Sequence, residues 1–217
     1  MKSSALAVFR SRPAVAIRRR FFPGSERYWE SRYAKGGNSG AGSYGPEAQW
    51  KADVVNAWVS EHGITSVIDW GCGDGNQLGL ANYPRYLGID RSKTAVSMCV
   101  ARFRDDPTKS FIAYDSETLW DPARWLRADA ALSMEVIFHL TEEAVYRDYM
   151  SRLFASADQY VIICSNDSEG TEGGPTERHW RYTDWVADQA PEWELVEVAT
   201  PPEGINLMSN IALYRRA

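Results

Sequence analysis

The chain has 217 residues, 44% of them hydrophobic, with 24 Lys and Arg against 29 Asp and Glu and a formal net charge of −5. That length suits one domain with a sizeable core, and no apolar run reaches the length needed to span a bilayer. Six of the basic residues and no acid fall in residues 1–25, leaving 18 basic against 29 acidic residues in the body, which argues against a nucleic-acid partner.

Residues 1–25 (basic at Lys2, Arg10, Arg12, Arg18, Arg19 and Arg20) read as a separate leader. Three readings stay open for it: a transit peptide, a peripheral contact with an anionic membrane surface, or a solvated arm. The domain then covers 26–217. Its start, 26–45, begins as a short helix with Tyr28, Trp29 and Tyr33 on one aromatic face and runs into a loop with five glycines between 36 and 45. Such a loop is a flexible linker or a lid. Residues 46–62 read as a helix, with Pro46 in its first turn, apolar residues at helical spacing (Trp50, Val54, Val55, Trp58, Val59) and Gly63 ending it.

Ser66–Trp70 is the first strand, and Gly71-Cys72-Gly73-Asp74-Gly75-Asn76-Gln77 follows at once. Glycines at alternate positions permit both unusual φ values and close approach of a ligand to backbone. In an open parallel sheet that turn is the floor of a ligand site. A short helix is expected over 76–81 and a second strand over 86–90. Asp90 ends that strand, 21 residues after Asp69, placed either to bond a ribose diol or to cap the helix over 92–104. The third strand is expected over 111–115, then a short helix around Leu119–Leu126 broken by Pro122. The fourth strand runs from 128 to Met134. Thr141 caps a helix reaching Ala155, and 160–165 is a fifth strand. A polar loop over 166–176 is a candidate substrate loop. A helix closed by Pro191 and strands over 194–199 and 209–215 complete the chain.

The segment Val67-Ile68-Asp69-Trp70-Gly71-Cys72-Gly73-Asp74-Gly75 resembles the first motif of class I S-adenosylmethionine (SAM)-dependent methyltransferases: a hydrophobic strand, an acid, one residue, then Gly-x-Gly-x-Gly. A dinucleotide site would want Gly-x-Gly-x-x-Gly, which Gln77-Leu78 does not supply. The order of elements over 26–217 is similar to the seven-stranded, Rossmann-like α/β fold of that family: three layers, a mostly parallel sheet with an antiparallel last strand, helices on both faces.

The resemblance implies SAM as cofactor and S-adenosylhomocysteine (SAH) as product. It implies cofactor contacts at Asp69 to Gln77, at Asp90 and Arg91, and at Met134. Tyr28, Trp29 and Tyr33 would serve as the lid over the methionine end, and Asp115 as partner of the adenine amino group, with a turn cap as its alternative. The stretches Val136-Ile137-Phe138-His139-Leu140 and Thr183-Asp184-Trp185 are similar to those of small bacterial methyltransferases found with glycan-assembly enzymes. This implies a small-molecule or glycan acceptor, methylated on a hydroxyl, with methylation of nitrogen or carbon or a non-catalytic SAM-binding protein as alternatives.

A hydroxyl acceptor calls for a base, and histidine titrates nearest neutrality. His139, just past the fourth strand, is the first candidate, His179 the second and Glu135 the third; His62 reads as a solvated helix end. Glu135, Asp167 and a histidine have the residue types for Mg²⁺ but no enforcing spacing, so no metal is expected. Cys72, Cys99 and Cys164 form no disulfide framework and read as reduced, in a cytoplasmic protein.

Overall fold

The computed structural model describes residues 22–170 and 176–217; most of the basic leader, and part of the 166–176 loop, lie outside them. Helix α1 spans Ser25–Ala34 and α2 Gly45–Glu61. Strand β1 (Val67–Trp70) leads to β2 (Tyr86–Asp90), α3 (Lys93–Arg102), β3 (Lys109–Ala113) and β4 (Ala128–Met134). Helix α4 (Glu143–Ala155), β5 (Ala157–Ser165), α5 (Tyr182–Gln189), β6 (Trp193–Ala199) and β7 (Asn210–Arg216) follow.

The strands form one sheet in the order β3-β2-β1-β4-β5-β7-β6. β1, β2, β3, β4 and β5 run parallel; β7 lies antiparallel between β5 and β6. The order reverses between β1 and β4, so a crevice opens at the carboxyl end of β1. All four residues of β1 are buried, because helices cover both faces of the sheet there.

On one face α4 and α5 pack Met150, Leu153, Phe154 and Trp185 against Ile68, Ala131 and Ile163. On the other, α2 and α3 pack Val55, Trp58, Val59 and Cys99 against Val67, Leu132 and Ile162. Helix α1 lies over the carboxyl edge. The Ser25 amide donates to Glu142 Oε1 at 3.0 Å, and Glu30 accepts from Ser92 Oγ at 2.7 Å and Thr94 Oγ1 at 2.6 Å.

Several elements depart from the sequence reading: β5 starts three residues early, at Ala157, and α4 has Glu142, not Thr141, at its cap, with no side-chain capping bond. Residues 119–126 form turns, not a helix. Asp121 takes the Trp125 and Leu126 amides at 2.9 and 2.8 Å, which removes those donors from any helical ladder. This leaves Trp120 and Trp125 85% and 86% exposed. Strand β3 starts and ends two residues early, because the Asp106 turn captures Thr108 and pairing with β2 begins at Lys109↔Tyr86. The 76–81 helix is a single 3₁₀ turn over Gln77–Leu80.

Among the described residues no helix is long and apolar enough to cross a membrane. The Tyr149 hydroxyl, fully inside, meets both the Trp70 carbonyl and Ser133 Oγ at 2.7 Å, tying α4 to β1 and β4. Tyr149→Phe strands those groups and is expected to lower the unfolding free energy by about 1–3 kcal/mol in denaturant titration.

Candidate active site

The crevice at the end of β1 is a cavity of about 390 Å³, within the range that holds drug-sized ligands. Its floor is the glycine turn. Gly71, Gly73 and Gly75 have φ of 90°, 59° and 74°, where side chains are strained. Gly71 and Gly73 line the cavity. Gly75 does not: a Cβ there would stand 2.9 Å from Phe103 and 3.0 Å from Cys99 Sγ, so the third glycine lets α3 pack against the turn. Cys99 Sγ in return donates to the Gly73 carbonyl at 3.2 Å. All three cysteines are free and buried.

Asp90 ends β2 at the cavity wall. Its carboxylate accepts from the Gly73 amide at 2.9 Å and the Ser92 amide at 2.8 Å. The cap of α3 is Ser92, whose hydroxyl accepts from Ala95 N. Burial raises the Asp90 carboxyl above the usual range against those two hydrogen bonds. Asp69 is more deeply set. Oδ2 accepts from the Tyr86 hydroxyl at 2.7 Å, while buried Oδ1 has no hydrogen-bond partner. Burial pushes its carboxyl up to about 7, opposed by the Tyr86 bond.

Asp74 fastens the glycine-rich loop to the turn. Its Oδ2 accepts from the Ser39 amide at 2.9 Å and the Tyr44 hydroxyl at 2.8 Å, while its own amide donates to Ser39 Oγ at 3.0 Å. Asn76 donates to Ser43 O at 2.7 Å and Gln77 to Ala48 O at 2.9 Å. The loop therefore lies over the cavity, with Tyr28, Trp29 and Tyr33 of α1 in the same wall. Arg91 lines the cavity too and pairs with Glu26. Cys72, Gln77 and Met134 complete the predicted cofactor contacts that line it; Asn76 and Asp115 do not. Asp115 is exposed and accepts from the Glu117 amide at 2.8 Å, as a turn cap. Tyr114, which sequence reasoning passed over, stands in the wall and meets Trp70 edge-on at 5.3 Å.

On the other side of the cavity are Glu135 and His139. Glu135 Oε1 accepts from Ser209 Oγ at 2.8 Å, and Oε2 lies 3.5 Å from Lys51 Nζ. His139 sits between Trp29 and Phe138, at ring distances of 4.8 and 4.4 Å. Its Nδ1 lies 3.3 Å from the Thr176 carbonyl. Desolvation by those surroundings lowers its pKa to about 4, so the ring is neutral at physiological pH.

His179 is set apart. It pairs with Asn166 and lines a smaller cleft of about 140 Å³ that shares Glu135, Phe138 and Glu177 with the main cavity. Asp167 is turned away, accepting from Thr183 Oγ1 at 2.7 Å, and among the described residues no three His, Cys, Asp or Glu are grouped to hold a metal ion.

No protein-family profile matches the chain, and no curated protein does. Solved structures do. Magnesium protoporphyrin IX methyltransferase from Synechocystis, with bound SAH, is 18% identical with a TM-score of 0.61, covering 93% of this chain and 99% of that one. The N-methyltransferase NodS from Bradyrhizobium japonicum, also with SAH, is 13% identical with a TM-score of 0.62, covering 89% and 98%. The methyltransferase domain of a bacterial Hen1 is 20% identical with a TM-score of 0.61, covering 78% and 98%. The chain has the fold of class I SAM-dependent methyltransferases, as the first motif implied.

Asp74 offers a direct check on how the loop is held. Burial raises its carboxyl, but the bonds from Ser39, Asn76 and Tyr44 outweigh that and hold it below the usual range. A depressed carboxyl contributes stability above the unfolded value, about pH 4, and loses it as pH falls through the folded one. Asp74→Ala removes the acceptor of both the Ser39 amide and the Tyr44 hydroxyl. At neutral pH it is expected to speed hydrogen exchange of residues 39–44 about tenfold or more, whereas the wild type loosens there only below about pH 4.

Proposed function

We propose that this chain is a SAM-dependent methyltransferase that transfers a methyl group to a hydroxyl of a small-molecule or glycan acceptor, with His139 as general base. The fold supports the cofactor, and the cavity's chemistry fits it. Asp69 Oδ1 is a buried acceptor lacking a donor at the cavity wall, suited to the cationic amine of the methionine moiety. Asp90, at the tip of β2, suits the ribose diol. Tyr114 and Arg91 flank the adenine side; Tyr28, Trp29 and Tyr33 cover the methionine end. When bound, SAM supplies a methyl group on a cationic sulfur that is already a good leaving group.

What the chain must add is position and a proton acceptor. The observation that carries the base assignment is the His139–Thr176 contact. A carbonyl only accepts, so Nδ1 carries the proton and Nε2 the lone pair. His139 is therefore held as the tautomer that removes a proton, in the cavity that also holds the glycine turn. Glu135 is fastened on both oxygens and suits binding of an acceptor hydroxyl rather than proton shuttling. The smaller cleft beyond it, with Asn166, His179 and Asn206, offers polar groups for the rest of the acceptor, and Phe138 an aromatic surface against which a sugar ring can stack.

Similar structures carry names as different as a magnesium protoporphyrin IX methyltransferase and an N-methyltransferase, so the acceptor follows from the site and not from the fold. The test is a transfer assay with radiolabelled SAM against sugars, glycolipids and small phenols, with amines as controls. Transfer to a hydroxyl compound is expected, with His139→Ala slowing it about 10²–10⁴-fold. Because the neutral ring is the base, the wild-type rate should hold as pH falls through 6.5 and drop only towards about 4. A rate in His139→Ala equal to wild type removes the base assignment; transfer to amines alone removes the hydroxyl.

A further inference from the structure

We infer that Lys51 is a positioning residue: its buried ammonium holds the Glu135 carboxylate as the seat on which the glycine-rich loop closes, and so couples helix α2 to closure of the cofactor cavity. Only the identity of the cavity's ligand rests on the methyl-transfer reading.

Lys51 is 1% exposed and lies on the core face of α2 with Ala48, Ala52 and Val55. An ammonium at that depth is costly unless an anion meets it. Glu135 is that anion, reached from across the fold at 3.5 Å. Its other oxygen takes the Ser209 hydroxyl, and its amide donates to the Cys164 carbonyl at 2.8 Å. The residue also sits at φ 61°, a left-handed conformation uncommon for a glutamate. The side chain is thus held from α2 and from the β6–β7 connection while its own backbone is fixed by β5.

Gly42 shows what this rigidity serves. Unlike Gly36, Gly40 and Gly45, it does not have a positive φ, so its backbone does not demand glycine. Space does. A methyl at Gly42 would overlap Glu135 Oε2, with Glu135 Cδ at 3.1 Å and Leu207 Cδ2 at 3.5 Å. An overlap with the end of a free side chain is relieved by moving it. Here the carboxylate cannot move without leaving Lys51 and Ser209. The loop therefore has two anchors, Asp74 at its ends and Glu135 beneath its middle, and Lys51 secures the second.

The coupling is measurable in a double-mutant cycle on the full chain. Two readouts are hydrogen exchange of residues 39–44 without ligand and SAH affinity by calorimetry. Gly42→Ala is expected to speed exchange about tenfold or more as the open fraction rises, and to weaken SAH by the factor by which the closed fraction falls. Lys51→Met should do likewise, and Lys51→Arg should restore most of the loss. Adding Gly42→Ala to Lys51→Met should cost less than about twofold more, because a released carboxylate makes room. If Lys51→Met does not fold, the pair Lys51→Met with Glu135→Gln, which leaves no buried charge, carries the same expectation.

Fully multiplicative effects, as two unrelated structural losses would give, overturn the inference; so does unchanged exchange in Gly42→Ala. Failure of the wild type to bind SAH counts against the methyl-transfer reading alone, because the ligand-free exchange still decides the coupling.

Discussion

The Gly73 peptide is the point on which the site depends. Its amide donates to Asp90, its carbonyl accepts from Cys99, and its left-handed backbone brings both within reach. Those two bonds fasten the turn after β1 to the end of β2 and to helix α3. A side chain at Gly73 would strain φ and overlap Ser39 of the loop above. One residue thus sets the floor, the acidic wall and the clearance of the loop above. The parallel sheet supplies the rest by ending β1, β2 and β4 on the same edge, where Asp69, Asp90 and Glu135 arrive together.

Charge is managed differently at each of these acids. Asp74 has amides and a hydroxyl to stabilise its charge and is pulled below the normal carboxyl range despite burial. Asp69 has one hydroxyl and an open oxygen, and burial pushes it up to about 7. Glu135 has a buried lysine. The first arrangement suits a structural clasp. The second suits a group awaiting a cationic partner, since a ligand charge would complete what the protein leaves unpaired. The third suits a fixed wall. His139 completes the set as a ring kept neutral by its apolar neighbours and oriented through Nδ1, so its Nε2 is unprotonated at neutral pH, while the same burial makes it a weaker base than a free imidazole.

Much of this was legible in the sequence. The glycine turn was readable because its backbone angles exclude other residues, and the strands because apolar runs ended in acids at the required edge. The 119–126 segment misled because its apolar spacing is helical while Asp121 diverts the amides, a competition that periodicity does not record. Asp115 was named on the family resemblance alone, and Tyr114 passed unnoticed because β3, paired on one side only, starts two residues early at the Asp106 turn. Ser39 and Tyr44 carried no local signal; their roles come from Asp74, some thirty residues away. Lys51 did carry one: a lysine in step with Ala48, Ala52 and Val55 on the buried face of a helix asks for an anion opposite.

The central claim is that the turn after β1 and the acid at the end of β2 together receive SAM. Calorimetric titration of the full chain with SAH, beside NAD and beside the Asp90→Ala variant, tests it most directly. One SAH per chain is expected, with no heat from NAD and a loss of SAH affinity in Asp90→Ala of about tenfold or more, as for removal of a charged hydrogen-bond partner. No SAH binding, or SAH binding that Asp90→Ala leaves unchanged, would contradict it.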